Sequence, residues 1–270
     1  MSNTDLAKAC AQGDVEVVRL LLQNGQVNPS ANNNQAIRQA SSRGHVEVVR
    51  LLLQDGRVDP SEYGNRAICD ASIRGHLEVV RLLLQDERVD PSARNNAAIF
   101  CASCHNNCLE VVRLLLQDER VDPSEYNKEA IRSASRNGRL EIVRLLLHDE
   151  RVDPSVGHNE SIRIASMDGY VEVVRLLLQD KRVDPSDKDN QAIQGASRYG
   201  RLDVVRMLLQ DERVDPSDRA IQLAIENGHV EVVDALRNYR TEIKVMARMC
   251  FKRLGVCRDI RNVIITKLKI

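Results

Sequence analysis

The chain of 270 residues has no tryptophan, only two phenylalanines and five tyrosines, and no excess of charge of either sign. The 39 Lys and Arg balance the 39 Asp and Glu, which excludes a uniformly basic nucleic-acid binder and a wholly acidic disordered chain. There is no run of 18 apolar residues and no N-terminal basic segment followed by an apolar one, so we expect an unsecreted protein without a membrane span. With so few aromatic rings, the core must be aliphatic.

The seven cysteines are odd in number and irregularly spaced. This pattern favours free thiols in a reducing compartment over a disulfide framework. We therefore expect a cytoplasmic protein.

The prolines mark a repeat. All seven stand in the phrase Val-Asp-Pro-Ser or Val-Asn-Pro-Ser, and they are separated by 31 or 32 residues. A glycine or, once, Asn107 lies 16 residues before each proline, and Gly228 opens one further unit, which makes eight units. A fixed period of this length indicates a repeat architecture.

Each unit predicts two short helices. Asparagine opens the first helix and is expected to cap it through its side-chain oxygen, at Asn34, Asn65, Asn96, Asn159 and Asn190. Glycine supplies the turn, and proline ends the second helix. The apolar face of the second helix includes Leu82, and Leu145 in another unit, so we expect both leucines in the core.

Such a helix pair is too small to bury its own apolar faces, so neighbouring units must stack. Gly44-His45-Val46-Glu47-Val48-Val49-Arg50-Leu51-Leu52-Leu53 resembles the second half of an ankyrin repeat, and the resemblance covers roughly residues 5–238. It implies an all-α solenoid of about eight helix-turn-helix units. The Val-Asp-Pro-Ser variant is most similar to ankyrin proteins of large DNA viruses of amoebae and of some protists, in which case the cytoplasm would be that of the host.

Two features depart from the ankyrin pattern. The period is 31 residues instead of 33, and Ala-Ile stands where Thr-Pro-Leu is usual. Both missing residues fall around the finger between units. We therefore expect short finger loops or simple turns, with almost no strand.

Residues 240–270 leave the repeat, so we divide the chain into an array over 1–239 and a helical tail over 240–270. The tail carries nine Lys or Arg against two acidic residues, so its net charge is +7 and that of the array is −7. Ile243, Met246, Cys250 and Leu254 recur at helical spacing, and a second apolar set follows Gly255. The tail is interpreted as a cap on unit eight. The alternatives are a box that recruits a ubiquitin ligase and a basic helix that touches an anionic membrane.

Cys101, Cys104, His105 and Cys108 follow one another at i, i+3, i+4 and i+7. Cysteine and histidine at this spacing could bind zinc or, as Cys-x-x-Cys-His, attach haem. Zinc ligands usually come from two segments, however, and Asn106-Asn107 should end the helix before Cys108. We therefore predict neither a metal nor a cofactor.

Glutamate and arginine recur at i and i+3 on the second helix, which predicts a solvated face of ion pairs. The sequence contains no phosphate-binding loop, no nucleophile elbow and no His-Glu-x-x-His. Nothing in it indicates an enzyme.

The units differ most in the finger slot after Ser and on the exposed side of the first helix. The resemblance implies that these positions form the concave binding surface. The candidate binding residues are Arg38, Arg43, Tyr63, Arg74, Arg94, Phe100, Tyr126, Arg132, Arg136, His158, Arg163, Arg198 and Tyr199.

We therefore predict a noncatalytic, monomeric module that binds a protein or an acidic peptide. The alternative for the arginines is that they only keep the surface soluble and pair with neighbouring carboxylates. A ligase adaptor that uses the tail is a second function, and nucleic-acid or membrane-surface binding through the basic tail a third. Scarce aromatic rings argue against base stacking.

Overall fold

The computed structural model describes residues 2–123 and 127–254, with side chains for all of these except 127–128 and 244–254. The chain divides into two compact units, Met1–Val152 and Asp153–Ile270. The described residues form sixteen α-helices, one 3-10 helix and no strand. The all-α class is confirmed, and turns replace the fingers wherever the backbone is described.

The first compact unit holds α1 (Asn3–Gln12), α2 (Val15–Gln23), α3 (Ala31–Arg43), α4 (Val46–Gln54), α5 (Glu62–Arg74), α6 (Leu77–Leu84), α7 (Ala93–Ser103), a 3-10 helix (Asn106–Cys108), α8 (Leu109–Gln117), α9 (Asn127–Arg136) and α10 (Leu140–His148). The second holds α11 (Val156–Asp168), α12 (Val171–Gln179), α13 (Asp187–Arg198), α14 (Leu202–Leu208), α15 (Asp218–Glu226) and α16 (Val230–Leu254).

Within each compact unit the helices form two layers. The first helices of successive repeats pack on one another, as α1, α3, α5, α7 and α9 and as α11, α13 and α15. The second helices form the other layer in the same order. Each helix therefore buries its apolar side against its own partner and against the neighbouring repeat.

The buried face of the second helix consists of both valines and the middle leucine. In α6, Val79, Val80 and Leu83 are 0% exposed, whereas Leu82 is half-buried. The same holds in α10, where Leu146 is buried and Leu145 is half-buried. The expectation that Leu82 and Leu145 belong to the core is therefore wrong, because the inter-repeat contact rotates the buried face by one residue.

Left-handed turns stand where fingers were expected. Asn32, Asn33 and Asn34 have φ of 54°, 57° and 52°, and three consecutive left-handed residues also open α5, α7, α11 and α13. This conformation costs an ordinary residue roughly 1–2 kcal/mol and costs glycine and asparagine less. Asparagine and glycine are therefore frequent in these turns. The backbone N–H of Asn34 closes the turn by donating to the Ser30 carbonyl at 3.0 Å.

The asparagine at the end of each left-handed turn bonds to the next repeat. The Oδ1 atom of Asn34 accepts from the backbone N–H of Asp59 at 3.0 Å, and that of Asn65 accepts from Asp90 at 2.8 Å. Asn96, Asn159 and Asn190 do the same at 3.2, 2.7 and 2.8 Å. The prediction that these asparagines cap their own helices is therefore wrong.

The Asp-Pro-Ser phrase is a polar turn. The Oδ1 atom of Asp59 accepts from the backbone N–H of Ser61 at 2.9 Å and from its hydroxyl at 2.6 Å. Pro60 and the preceding Val58 are buried. The phrase therefore anchors one end of the connection in the core and satisfies its polar groups.

The last repeat differs because it is three residues shorter. Its first helix, α15, begins at Asp218 directly after an extended Ser217, without a left-handed turn. The helix α16 then continues through residue 239, and Arg240 donates to the Pro216 carbonyl at 2.8 Å. The second helix predicted after Gly255 lies outside the described residues.

We expect Leu83→Ala to lower the free energy of unfolding by about 2–5 kcal/mol, because it leaves a cavity between repeats. Leu82→Ala should cost clearly less, since that side chain is half-buried. Urea denaturation of the two variants checks this. Equal losses would contradict the assignment of the buried face.

Substitutions at the neighbouring Asn33 and Asn34 distinguish the stability that comes from side-chain hydrogen bonds from the stability that comes from the backbone conformation. Glycine tolerates the left-handed conformation, so Asn34→Gly should lose only the side-chain bonds to the Asp59 N–H and the Glu62 carboxylate, and about 1–3 kcal/mol of stability. Asn33→Gly, at an exposed position of the same turn, should change stability by less than about 0.5 kcal/mol. Thermal and urea unfolding would contradict the role of Asn34 if both variants matched the wild type.

Candidate interaction surface

Pairs of the form Asp-x-Arg hold successive repeats together behind the first-helix layer. The guanidinium of Arg57 meets the Asp55 carboxylate at 2.6 Å, and Arg88 meets Asp86 at 2.6 Å. Four further pairs lie at 2.6–2.7 Å, namely Asp118–Arg120, Asp149–Arg151, Asp180–Arg182 and Asp211–Arg213. The first repeat has Asn24 and Gln26 at these positions.

Each guanidinium in the first compact unit also reaches the preceding repeat. Arg88 donates to the Val58 carbonyl at 2.8 Å and to the Leu53 carbonyl, in the last turn of α4, at 3.1 Å. The last carbonyls of a helix have no partner within it and carry its negative dipole end, so a cation there is favourable.

These pairs shift the pKa of their carboxyl groups. The hydrogen bond from Arg88 is the main reason that the pKa of Asp86 lies below its usual value, and the backbone N–H of Arg88 adds to the shift. Hydrogen bonds lower the pKa of three further carboxyl groups in the same way, from Arg57 to Asp55, from Arg120 to Asp118 and from Arg151 to Asp149.

The residue after the turn glycine forms a second contact between repeats. The Nε2 atom of His45 lies 3.1 Å from the Ala11 carbonyl, and that of His76 lies 3.1 Å from the Ser42 carbonyl. A carbonyl only accepts, so Nε2 carries the hydrogen in both rings. Gly44 leaves room for His76: a Cβ atom there would lie 2.6 Å from the ring, and its φ is 76°. These histidines therefore have a structural role in joining repeats.

The candidate binding residues fall into three groups. Exposed side chains belong to Arg43, Tyr63, Arg74, Arg94, Arg136, His158, Arg198 and Tyr199. Half-buried side chains belong to Arg38, Phe100, Arg132 and Arg163. Tyr126 lies outside the described residues.

The half-buried arginines are engaged within the chain. Arg163 donates to the carbonyls of His158 at 2.9 Å and Gly157 at 3.1 Å, which braces the left-handed turn. Arg132 forms an ion pair with Glu129 of its own helix. Arg132 therefore pairs with a neighbouring carboxylate, as the alternative for the arginines predicted, whereas the structural role of Arg163 was not identified from the sequence.

The two most exposed aromatic candidates each lie beneath an arginine. The Arg38 guanidinium lies 5.2 Å from the centre of the Tyr63 ring, and that of Arg198 lies 5.9 Å from the Tyr199 ring. Tyr63 is nevertheless 57% exposed and Tyr199 48%. Cation–π contact orients both rings while leaving their edges accessible.

A groove of about 910 Å³ runs along the C-terminal ends of the first helices in the first four repeats. Arg43, Arg74 and His105 line it together with the bridging His45 and His76. None of the described residues that line this groove is acidic. Two of the cationic candidate binding residues, Arg43 and Arg74, therefore lie in this groove.

The cysteine–histidine cluster does not converge. Cys101 lies in α7, His105 is exposed, and Cys108 belongs to the 3-10 helix with its Sγ atom 3.7 Å from the Ile73 carbonyl. Burial raises the pKa of the Cys108 thiol to about 11. Within residues 2–123 and 127–254, no group of three or more His, Cys, Asp or Glu is arranged to hold a metal ion.

A family model for ankyrin repeats matches residues 6–95, 68–158 and 162–247. The chain belongs to the ankyrin repeat family. It is also similar to the solved ankyrin repeat domain of human ASB11, with 17% identity, a TM-score of 0.45, and coverage of 87% of this chain and 96% of that one. No curated protein matches the chain in sequence.

Sequence reasoning missed the inter-repeat role of the Asp-x-Arg pairs in this ankyrin chain. The signal was present, because the first repeat replaces both charged residues with Asn24 and Gln26. The sequence predicted ion pairs only for Glu-x-x-Arg. Those pairs lie on the exposed face of the second helices, where Glu47 and Arg50 are 3.4 Å apart and Glu78 and Arg81 are 3.6 Å apart. The two kinds of pair therefore differ in role: one joins repeats and the other faces solvent.

Replacing Asp86 with asparagine should destabilise the protein near neutral pH and cease to matter in acid. The folded pKa of Asp86 is depressed, so its stabilisation is present above the unfolded pKa and is lost as pH falls through the folded value. Urea denaturation of wild type and Asp86→Asn from pH 7 downward should give curves that converge below about pH 4. Glu87→Gln, at the exposed neighbour, is the control. A constant difference at all pH values would contradict the ionic contribution.

Proposed function

We propose that the chain is a noncatalytic interaction module that binds a protein through the exposed side of its first helices. Ankyrin repeats form a protein-interaction scaffold, and this chain belongs to that family. The observation that carries the proposal is that two faces are exposed but only one varies. The second helices repeat the same Glu–Arg ion pairs, whereas the exposed residue two positions before the turn glycine reads Ile73, Arg136, Met167 and Arg198.

The partner we infer presents acidic groups. Arg43, Arg74, Arg136 and Arg198 are exposed near the C-terminal ends of their first helices. Exposed guanidinium groups bind carboxylates with two parallel hydrogen bonds, which makes them suited to an acidic surface. The half-buried Arg132 and Arg163 are less suited, because each has a partner within the chain.

The tail has a second candidate role as the ligase-binding part of an adaptor, and the contacts of Arg240 favour the capping role for its first residues. Because Arg240 holds α16 against the start of the last repeat, residues near 240 are engaged within the chain. No helix in the described part of the chain is both long and apolar enough to cross a membrane.

We also infer a reducing compartment such as the cytoplasm. The described cysteines Cys10, Cys69, Cys101, Cys104 and Cys108 are free thiols. Burial raises the pKa of Cys10 and Cys69 to about 12, so these thiols resist oxidation where they are buried.

Charge reversal on each side of one helix pair tests the binding face. Arg136→Glu alters the first-helix side of the fifth repeat, and Arg144→Glu alters its second-helix side. A lost contact and an added repulsion each contribute up to about 1 kcal/mol, so Arg136→Glu should reduce capture of the partner about fivefold to tenfold or more. Arg144→Glu should leave capture unchanged.

The measurement is affinity capture with the immobilised full chain from cells that naturally make it, followed by quantitative mass spectrometry. Thermal unfolding of both variants verifies that the fold is retained. If Arg144→Glu reduced capture as strongly as Arg136→Glu, the binding face would not be the first-helix side.

A further inference from the structure

We propose that the groove at the junctions between first and second helices binds an extended acidic peptide with a carboxylate at every third residue. The inference rests on the proposed function, since it specifies the partner chemistry for one part of that surface. The groove is about 910 Å³ in volume and crosses four consecutive repeats. It lies where the first helices end, at the opposite end of each helix from the left-handed turns.

The groove is lined by cationic side chains. Arg43 and Arg74 line the groove with exposed side chains, and His105 adds a ring N–H donor in the next repeat. The acidic residues four positions along the chain from these arginines are Glu47, Asp70 and Glu78, which already pair with arginines of their own helices at 3.4, 2.8 and 3.6 Å. The groove therefore keeps its positive potential, which favours anionic partners.

The donors are regularly spaced. Arg43 and Arg74 are the last residues of α3 and α5, and His105 lies two residues beyond Ser103, the last residue of α7. Packed helices lie roughly 8–10 Å apart, so the donors recur at about that interval. A peptide in the extended polyproline II conformation rises about 3.1 Å per residue with three residues per turn, so three residues span one repeat and every third side chain points to the same side. Carboxylates at every third position would therefore meet successive donors.

Hydrogen bonds between repeats make the groove rigid. His45 and His76 bridge neighbouring repeats through Nε2 bonds of 3.1 Å to backbone carbonyls, and Asn107 donates to the Arg74 carbonyl at 3.1 Å. These bonds run along the base of the groove and fix the distance between repeats. A groove whose geometry is set before binding loses less conformational entropy when the peptide arrives.

The lining also distinguishes a peptide from a nucleic acid. Ile73 is 36% exposed and lines the groove between the charged positions, where it offers an apolar contact to a peptide side chain. Single-stranded nucleic acids bind largely by stacking their bases on aromatic rings. No phenylalanine, tyrosine or tryptophan is among the residues found to line this groove.

The test uses two nine-residue peptides of identical composition. One has glutamate at positions 1, 4 and 7 with serine elsewhere, and the other has its three glutamates contiguous. The full chain, labelled with ¹⁵N, is titrated with each peptide at low salt, because amide chemical shifts detect even millimolar binding. We expect the spaced peptide to bind more tightly and to shift the amides of Arg43, Arg74 and His105.

Matched variants locate the binding. Arg43→Ala/Arg74→Ala should raise the Kd of the spaced peptide roughly tenfold, which corresponds to the loss of two exposed arginine–carboxylate contacts. The control, Arg50→Ala/Arg81→Ala, removes two arginines from the second helices of the same repeats and should leave the Kd unchanged. Both variants keep the inter-repeat bonds, so a change in Kd is not a folding effect.

Several outcomes would overturn the proposal. Equal affinity for the two peptides would show that charge alone, without spacing, attracts them. An unchanged Kd in Arg43→Ala/Arg74→Ala would place binding elsewhere. Tighter binding of a nine-nucleotide oligothymidylate that needs the same two arginines would identify a nucleic-acid surface. If no peptide binds while capture still depends on Arg136, the acidic-peptide inference fails and the proposed function stands.

Discussion

The contact between neighbouring repeats is the constraint on which the whole structure depends. Apart from the longer α16, the helices have seven to thirteen residues, and a pair of them has too little interior to bury its own apolar side chains. The first repeat demonstrates this: Val17 and Leu20, on the side without a described predecessor, are 40% and 60% exposed. The equivalent Val48 in the second repeat is 1% exposed, because a preceding repeat covers it. Stability is therefore a property of interfaces, and each sequence motif has to be understood across two repeats.

Polar groups at the junction follow the same rule. Arginine of the Asp-x-Arg pairs satisfies carbonyls at the end of the preceding helix, and asparagine of the left-handed turn accepts an N–H from the following repeat. The histidine after the glycine bonds backwards to the preceding repeat. These contacts occupy the repeated Asp, Arg, Asn and His residues of the junctions, whereas the first-helix residues named as binding candidates differ between repeats.

Sequence reasoning predicted the fold because its signals are local. The turn glycine and the Glu–Arg spacing each depend on residues within one repeat and are observed as turns and ion pairs. The prediction that proline ends the second helix is wrong, because α4 ends at Gln54, six residues before Pro60. The other errors came from contacts between repeats. Asn34 looked like a cap for the helix that follows it, but its side chain bonds to Asp59, 25 residues away. Leu82 was expected in the core as part of the apolar face, but it is half-buried, whereas Leu83 is 0% exposed.

The sequence by itself determined the class of architecture, the number of repeats and the separation of charge between array and tail, because periodicity and composition can be counted along one chain. Only the tertiary structure decided which arginines are available to a partner. Arg132 and Arg163 are held within the chain, whereas Arg43 and Arg74 line an open groove. The physical reason is that side-chain availability depends on neighbours distant in sequence: residues of the same type at similar positions differ in which carboxylate or carbonyl lies within reach.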